Sequence, residues 1–192
     1  GHRRGGRVPD RTPLTQNAPE QARVFFALWP DERVRAELDR VAARLHRLRG
    51  GRRTRAETIH LTLLFVGNVP RTTLPALLAS VADIRVPAFA LIFDQAECWR
   101  YNRIASMTTS QPPPALLDLV TGLESRLDRL GIAYDRRPYK PHVTLLRSAD
   151  CRPENPPLQP ILWTAREFVL VESRLSPEGA QYPRLGRYPL SA

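Results

Sequence analysis

A four-residue word occurs twice in this chain of 192 residues, as His60-Leu61-Thr62-Leu63 and as His142-Val143-Thr144-Leu145. Each copy lies in an apolar run of strand type, and side chains two apart on a strand emerge on the same face. Each word therefore presents an imidazole and a hydroxyl together, and two such strands would gather two of each. Neutral imidazole accepts a proton near pH 7, imidazolium donates one, and hydroxyls bond phosphoryl oxygens. The set suits acid and base work on a phosphate. It suits a metal poorly, because the words lack the ligand spacing of zinc sites and Glu57 is the only carboxylate near either of them in sequence.

The repetition extends beyond the motif. The two histidines are 82 positions apart (142 − 60), and the same shift carries Val34, Leu38, Val41, Leu45 and Leu48 onto Leu116, Val120, Leu123, Leu127 and Leu130. Steps of four, three, four and three keep apolar side chains on one helix face. Arg44, Arg47 and Arg55 fall on Arg126, Arg129 and Arg137, and Pro30 falls on Pro112. The pattern predicts a duplicated unit of helix, basic loop and His-Thr strand, with two lobes related by a pseudo-two-fold axis.

Around this repeat, residues 1–22 lack periodicity and read as a flexible tail, leaving 23–192 as one bilobal domain. The first strand spans Arg23 to Trp29. After Pro30, Asp31 is the expected N-cap of a helix that ends at Gly50-Gly51. The first motif strand runs from Thr58 to Val66, and a second helix is expected over Leu74 to Asp83. Strands are expected near Phe89 to Glu97 and Arg103 to Thr109. The second repeat helix opens at Pro112 to Pro114 and closes at Gly131. A short strand is expected at Ile132 to Tyr134, a proline-rich excursion over Ser148 to Pro160, and closing strands at Phe168 to Leu175 and Tyr182 to Leu190. Strands outside strict strand-helix alternation predict an α+β fold with antiparallel or mixed sheets.

The formal net charge is +10, and of 29 basic residues only Lys140 is lysine. Arginine's planar fork grips phosphate through two parallel hydrogen bonds, so an anionic, phosphate-bearing partner is expected. Codon bias alone yields arginine-rich chains too, but location favours the partner. Arg47, Arg49, Arg52, Arg53 and Arg55 crowd the approach to His60, and Arg136, Arg137 and Lys140 crowd that to His142. No apolar run approaches the roughly 20 residues of a membrane span, so a cytoplasmic protein is expected. Two cysteines, Cys98 and Cys151, make no disulfide framework, and reduced thiols are the expectation.

Four stretches carry a resemblance: Val24 to Pro30, His60 to Gly67, Pro138 to Arg147, and Val171 to Leu175 with Gly179, Tyr182 and Tyr188. Over roughly residues 23 to 190 the chain resembles the RNA 2′,3′-cyclic phosphodiesterases, historically called 2′-5′ RNA ligases, of the two-histidine phosphoesterase superfamily. The resemblance implies a bilobal fold whose antiparallel or mixed sheets line a central cleft, helices packed outside and the histidines facing each other. It places the family's first motif on His60 and Thr62, its second on His142 and Thr144, and its arginine on Arg147. Because Arg147 is His142 plus five, an odd offset, it should stand at the strand's end or beyond a bulge. Its repeat partner is Phe65, so the two halves of the cleft differ.

The implied reaction is hydrolysis of a 2′,3′-cyclic phosphate on RNA ends or nucleotides to a 2′-phosphate, with no cofactor, metal or obligatory protein partner. By resemblance His60 is the general acid at the 3′ oxygen and His142 the general base for water, though the residues alone leave the roles exchangeable. Thr62, Thr144 and Arg147 would hold the phosphate. Tyr139 and Trp99 are candidate base-stacking platforms, each equally able to pack its own loop, while Phe25 and Trp29 read as core. Two alternatives stand beside this reading. One is a phosphodiesterase for another small nucleotide, such as a cyclic ADP-ribose phosphate or a 2′,5′-linked oligonucleotide; the other is a non-catalytic RNA-binding module.

Overall fold

A computed structural model describes residues 20–192. The tail expected over 1–22 lies outside the described residues except at its end, where Gln21 and Ala22 already belong to the first strand and Ala22 is buried. In chain order the elements are β1 (Gln21–Leu28), α1 (Glu32–Arg49), β2 (Arg52–Arg53), β3 (Leu61–Pro70), α2 (Leu74–Ser80), β4 (Phe89–Phe93), β5 (Gln95–Trp99), β6 (Ile104–Thr108), α3 (Pro114–Leu130), β7 (His142–Arg147), β8 (Ile161–Ala165), β9 (Glu167–Glu172), β10 (Arg174–Ser176), β11 (Gly179–Gln181) and β12 (Arg184–Pro189).

The 82-residue shift carries β1 onto β6, α1 onto α3 and β3 onto β7. One antiparallel sheet runs through both halves in the order β12-β9-β1-β3-β7-β6-β5, with β2 paired to β7. The halves join at β3 and β7 through Leu61 opposite Val143, which are equivalent positions of the repeat. Equivalent residues facing each other is what a two-fold axis between the strands requires. The antiparallel run through that pair sets His60 beside Thr144 and Thr62 beside His142, so all four side chains share one face.

The helices form where the stripes predict. The Asp31 carboxylate accepts from the Val34 N–H at 2.9 Å, capping α1, and Gly131 ends α3 in the left-handed conformation. Val34, Leu38 and Leu45 of α1 and Leu116, Val120, Leu123 and Leu127 of α3 are buried in one core. The last members of the two stripes, Leu48 and Leu130, are exposed because each helix has run past the sheet. α1 packs against β7 and α3 against β3, so each repeat's helix supports the other repeat's motif strand.

Several local expectations are corrected. Residues 132–134 form no strand; the Ile132 N–H instead bonds the Leu127 carbonyl, closing α3. Phe89 to Glu97 divides at Asp94 into β4, paired with β8 in a separate sheet, and β5 at the edge of the main one. Phe168 to Leu175 likewise breaks after Glu172 into β9 and the first arm of a β10–β11 hairpin. Cys98 and Cys151 are joined in a disulfide rather than reduced. Cys98 is the penultimate residue of β5, close to the turn at Arg103, whose carbonyl accepts the Ala149 N–H, and that bond brings Cys151 back with a Cα–Cα distance of 5.3 Å. No helix among the described residues is long and apolar enough to cross a membrane.

The β10–β11 hairpin is held at its base by charge. Glu172, 3% exposed, accepts hydrogen bonds from Arg71 and Arg174. Burial pulls its carboxyl pKa upward, but the two guanidinium bonds outweigh it and hold the group below the usual carboxylate range. Arg71→Ala leaves that covered carboxylate one partner short, and a loss of about 2 kcal/mol is expected in urea unfolding at pH 7. An unchanged midpoint would remove Glu172 as the anchor.

Candidate active site

A cavity of about 610 Å³ opens over the β3–β7 join and is lined by both motif pairs and Arg147. Its volume is that of a nucleotide-sized ligand pocket rather than a bare anion hole. The β10–β11 hairpin with Tyr182 forms one wall, and the β2 segment forms another.

Local hydrogen bonds aim both imidazoles in the same way. His60 Nδ1 lies 2.7 Å from the Thr58 carbonyl oxygen and His142 Nδ1 lies 2.8 Å from the Lys140 carbonyl oxygen, each two residues back and again 82 apart. A carbonyl accepts only, so each Nδ1 carries the proton and each Nε2 is left as the chemically active atom. Two such rings can serve one as proton acceptor and the other, once protonated, as donor.

A bulge follows each motif threonine. In β7, Ser106 pairs with Thr144 and Ala105 with Leu146, so Leu145 is an extra residue. In β3, Ala27 pairs with Thr62 and Phe26 with Leu64, so Leu63 is extra. Leu63 and Leu145 are repeat equivalents, and in each strand two successive leucines are buried. The slip resets the alternation and explains how Arg147, at an odd offset, lines the cavity with His142. The equivalent Phe65 instead joins the aromatic group around His60.

Each approach segment clamps the opposite motif strand. The Thr54 hydroxyl donates to the Thr144 carbonyl, and the Tyr139 hydroxyl donates to the Thr62 carbonyl, both at 3.0 Å. These bonds occupy acceptors that the bulges take out of the ladder. Tyr139 thus packs against the core and secures β3 rather than offering a free base-stacking platform. Burial raises its phenol pKa well above the ordinary value.

The surroundings of the two rings differ. Trp29 stacks on His60, with centroids 4.7 Å apart and planes 12° apart, while Phe25 and Tyr182 close in at 5.1 and 5.5 Å. Arg184 lies 3.9 Å from the Trp29 ring centroid. Burial, above all, lowers the His60 pKa to about 4; the Thr58 carbonyl opposes that shift, and Arg184, His142 and Arg147 add to it. His142 meets Trp99 edge-on at 5.1 Å. Beside them Glu97 accepts from Lys140 Nζ at 2.7 Å and Trp99 Nε1 at 2.9 Å, bonds that hold its carboxyl low against burial's upward pull. Trp29, Tyr182, Arg184 and Glu97 carried no spacing signal in the sequence; Trp29 read as core because an aromatic in an apolar strand usually is.

A duplicated antiparallel sheet with an inward-facing His-x-Thr pair on each central strand is the architecture of a two-histidine phosphoesterase. The family model described as "LigT like Phosphoesterase" matches in two stretches, residues 28–105 and 108–182, one for each half of the repeat. The chain belongs to the LigT-like phosphoesterase family. It is 33% identical over 174 residues to the RNA 2′,3′-cyclic phosphodiesterase of Escherichia coli (strain K12), covering 90% of this chain and 98% of that one. It is 30% identical to the enzyme of the same description from Thermus thermophilus, over 88% of this chain and 90% of the relative. The crystal structure of E. coli LigT complexed with 3′-AMP superposes with a TM-score of 0.83 at 32% identity, covering 90% of this chain and all of that one.

Proposed function

We propose that this protein hydrolyses 2′,3′-cyclic phosphates on RNA ends and nucleotides, leaving a 2′-phosphate, by acid–base catalysis from His60 and His142 without a metal. The observation that carries this reading is the pair of imidazoles, both fixed through Nδ1, on one face of two strands that meet at a pseudo-two-fold axis. The relatives described as RNA 2′,3′-cyclic phosphodiesterases support it.

The cyclic diester seats its phosphorus between the rings. His142 Nε2 takes a proton from water as the water oxygen attacks phosphorus; the bond to the 3′ oxygen breaks on the opposite side, and that oxygen receives the proton held by His60 Nε2. The in-line arrangement needs one imidazole on each side. Thr62 and Thr144 hydroxyls donate to the non-bridging oxygens, and Arg147 offsets the charge gathering on phosphorus. His60 is neutral in the empty site at pH 7, so its acid role requires that the substrate's own negative charge bring the proton with it.

One observation favours exchanged roles. The cationic Arg184 stands with His60, and the anionic Glu97 stands with His142, an arrangement that suits His60 as base and His142 as acid. The test is turnover of a 2′,3′-cyclic nucleotide and of RNA ending in a cyclic phosphate, in EDTA, with the product isomer identified. Hydrolysis to the 2′-phosphate is expected; absence of turnover, or turnover only with a divalent metal, contradicts the proposal. A substrate with sulfur at the 3′ position assigns the roles, because thiolate departs without protonation. With His60 as acid, His60→Ala recovers on that substrate and His142→Ala does not; exchanged roles reverse the pattern.

A further inference from the structure

We infer that Arg52, set directly opposite Arg147, forms a second anion subsite that takes the phosphodiester on the 5′ side of the reacting ribose. The enzyme is thereby built for the end of an oligonucleotide rather than for a lone mononucleotide. The inference rests on the cyclic-phosphate reading for the identity of the reacting group.

Arg52 and Arg147 are cross-strand partners in the β2–β7 ladder. Like charges directly opposite each other on a sheet repel, so such a pair is retained at a cost unless an anion comes between. Among the described residues neither guanidinium has a carboxylate within ion-pair distance or a hydrogen-bond acceptor. Their neighbours are satisfied: Arg53 pairs with Asp39, and Arg55 forms an ion pair with Glu57 and donates to the Ala180 carbonyl. Both unpartnered arginines line the same cavity as the histidines.

The backbone enforces this placement. Gly51 has φ +80°, and a Cβ there would lie 2.5 Å from the Arg147 carbonyl oxygen and 3.0 Å from that of Ser148. Only glycine lets the chain come this close, and the residue it delivers onto β7 is Arg52. Arg52 therefore stands beside Arg147 through main-chain packing, not through the reach of a mobile surface side chain.

Position along the strand names the ligand. Because Leu145 is extra in the ladder, Arg147 and its partner Arg52 stand about two ladder steps, roughly 7 Å, along β7 from Thr144, the reach of one nucleotide from the phosphate held by both threonines. A 2′,3′-cyclic phosphate ends its chain, so the only phosphate one step away is the one on the 5′ carbon of the same ribose. Arg147 would then span the two phosphates, with Arg52 dedicated to the second.

The test is titration calorimetry at low salt with 2′-AMP and with adenosine 2′,5′-bisphosphate, on the wild type, Arg52→Ala and, as a net-charge control, Arg129→Ala. The wild type and the control are expected to prefer the bisphosphate by about tenfold or more, and Arg52→Ala to shrink that preference to within about threefold. A wild-type preference below about twofold, or one that survives in Arg52→Ala, overturns the subsite. Neither readout needs turnover, so a failure to hydrolyse cyclic phosphate would sink the proposed reaction while the affinity ratio still decides on Arg52.

Discussion

Alanine at His60 or at His142 is expected to lower kcat on a 2′,3′-cyclic nucleotide by about 10³-fold, within the range that positioned acid–base groups contribute. Each ring presents Nε2 to the cavity with Nδ1 already committed to a carbonyl, so no other side chain near it can replace the lost proton acceptor or donor. The double variant should be scarcely worse than either single one, because acid and base act in one step. Circular dichroism and thermal unfolding should show the fold retained, since His142 is partly exposed and His60, though enclosed by Phe25, Trp29 and Tyr182, lies outside the main core cluster. A variant keeping kcat within about tenfold of wild type would remove that histidine from the chemistry.

Stability should rise with pH through a window set by His60. Its pKa is about 4 in the folded protein against 6.5 for the unperturbed group, so between those values the unfolded chain binds a proton that the folded one does not. Unfolding free energy therefore climbs as pH rises from 4 to 6.5 and flattens above. The full shift of 2.5 units corresponds to about 3 kcal/mol, of which about 2 kcal/mol falls between pH 5 and pH 7. Urea unfolding at those two pH values should show the difference in the wild type and show it reduced by about that amount in His60→Gln, which cannot titrate. An equal pH dependence in both proteins would mean that the aromatic enclosure of Phe25, Trp29 and Tyr182 does not exclude water from the ring.

The parts of this molecule that repeat were the parts legible in the sequence. A shift of 82 residues aligned both helices and both motif strands, because helix stripes and His-Thr alternation are one-dimensional patterns that survive without contacts. What the shift could not show was how the strands slip. The bulges at Leu63 and Leu145 depend on pairing with β1 and β6, and the one at Leu145 turns Arg147 toward the cavity, although its odd offset is a visible hint. The same limit leaves the contacts of Trp29 and Tyr182 with His60, and the place of Arg184 beside them, out of the sequence pattern. They come from distant segments, and an aromatic beside an apolar strand carries no mark of the imidazole it will stack upon. The disulfide was hidden by its span, since two cysteines 53 residues apart signal pairing only when the turn at Arg103 and Ser148 brings them together. The β4–β8 sheet has no sequence signal because β8 follows a proline-rich segment that reads as an excursion.

The proposed reaction needs two imidazoles to address one phosphorus from opposite sides. A crystal structure with a nucleoside 2′,3′-vanadate, which mimics the five-coordinate transition state, tests it most directly. Vanadium is expected between the motif strands, with His60 Nε2 and His142 Nε2 each about 2.6–3.2 Å from a different apical oxygen. Both rings on one side of the vanadium, or either ring out of hydrogen-bond reach of an apical oxygen, would contradict it.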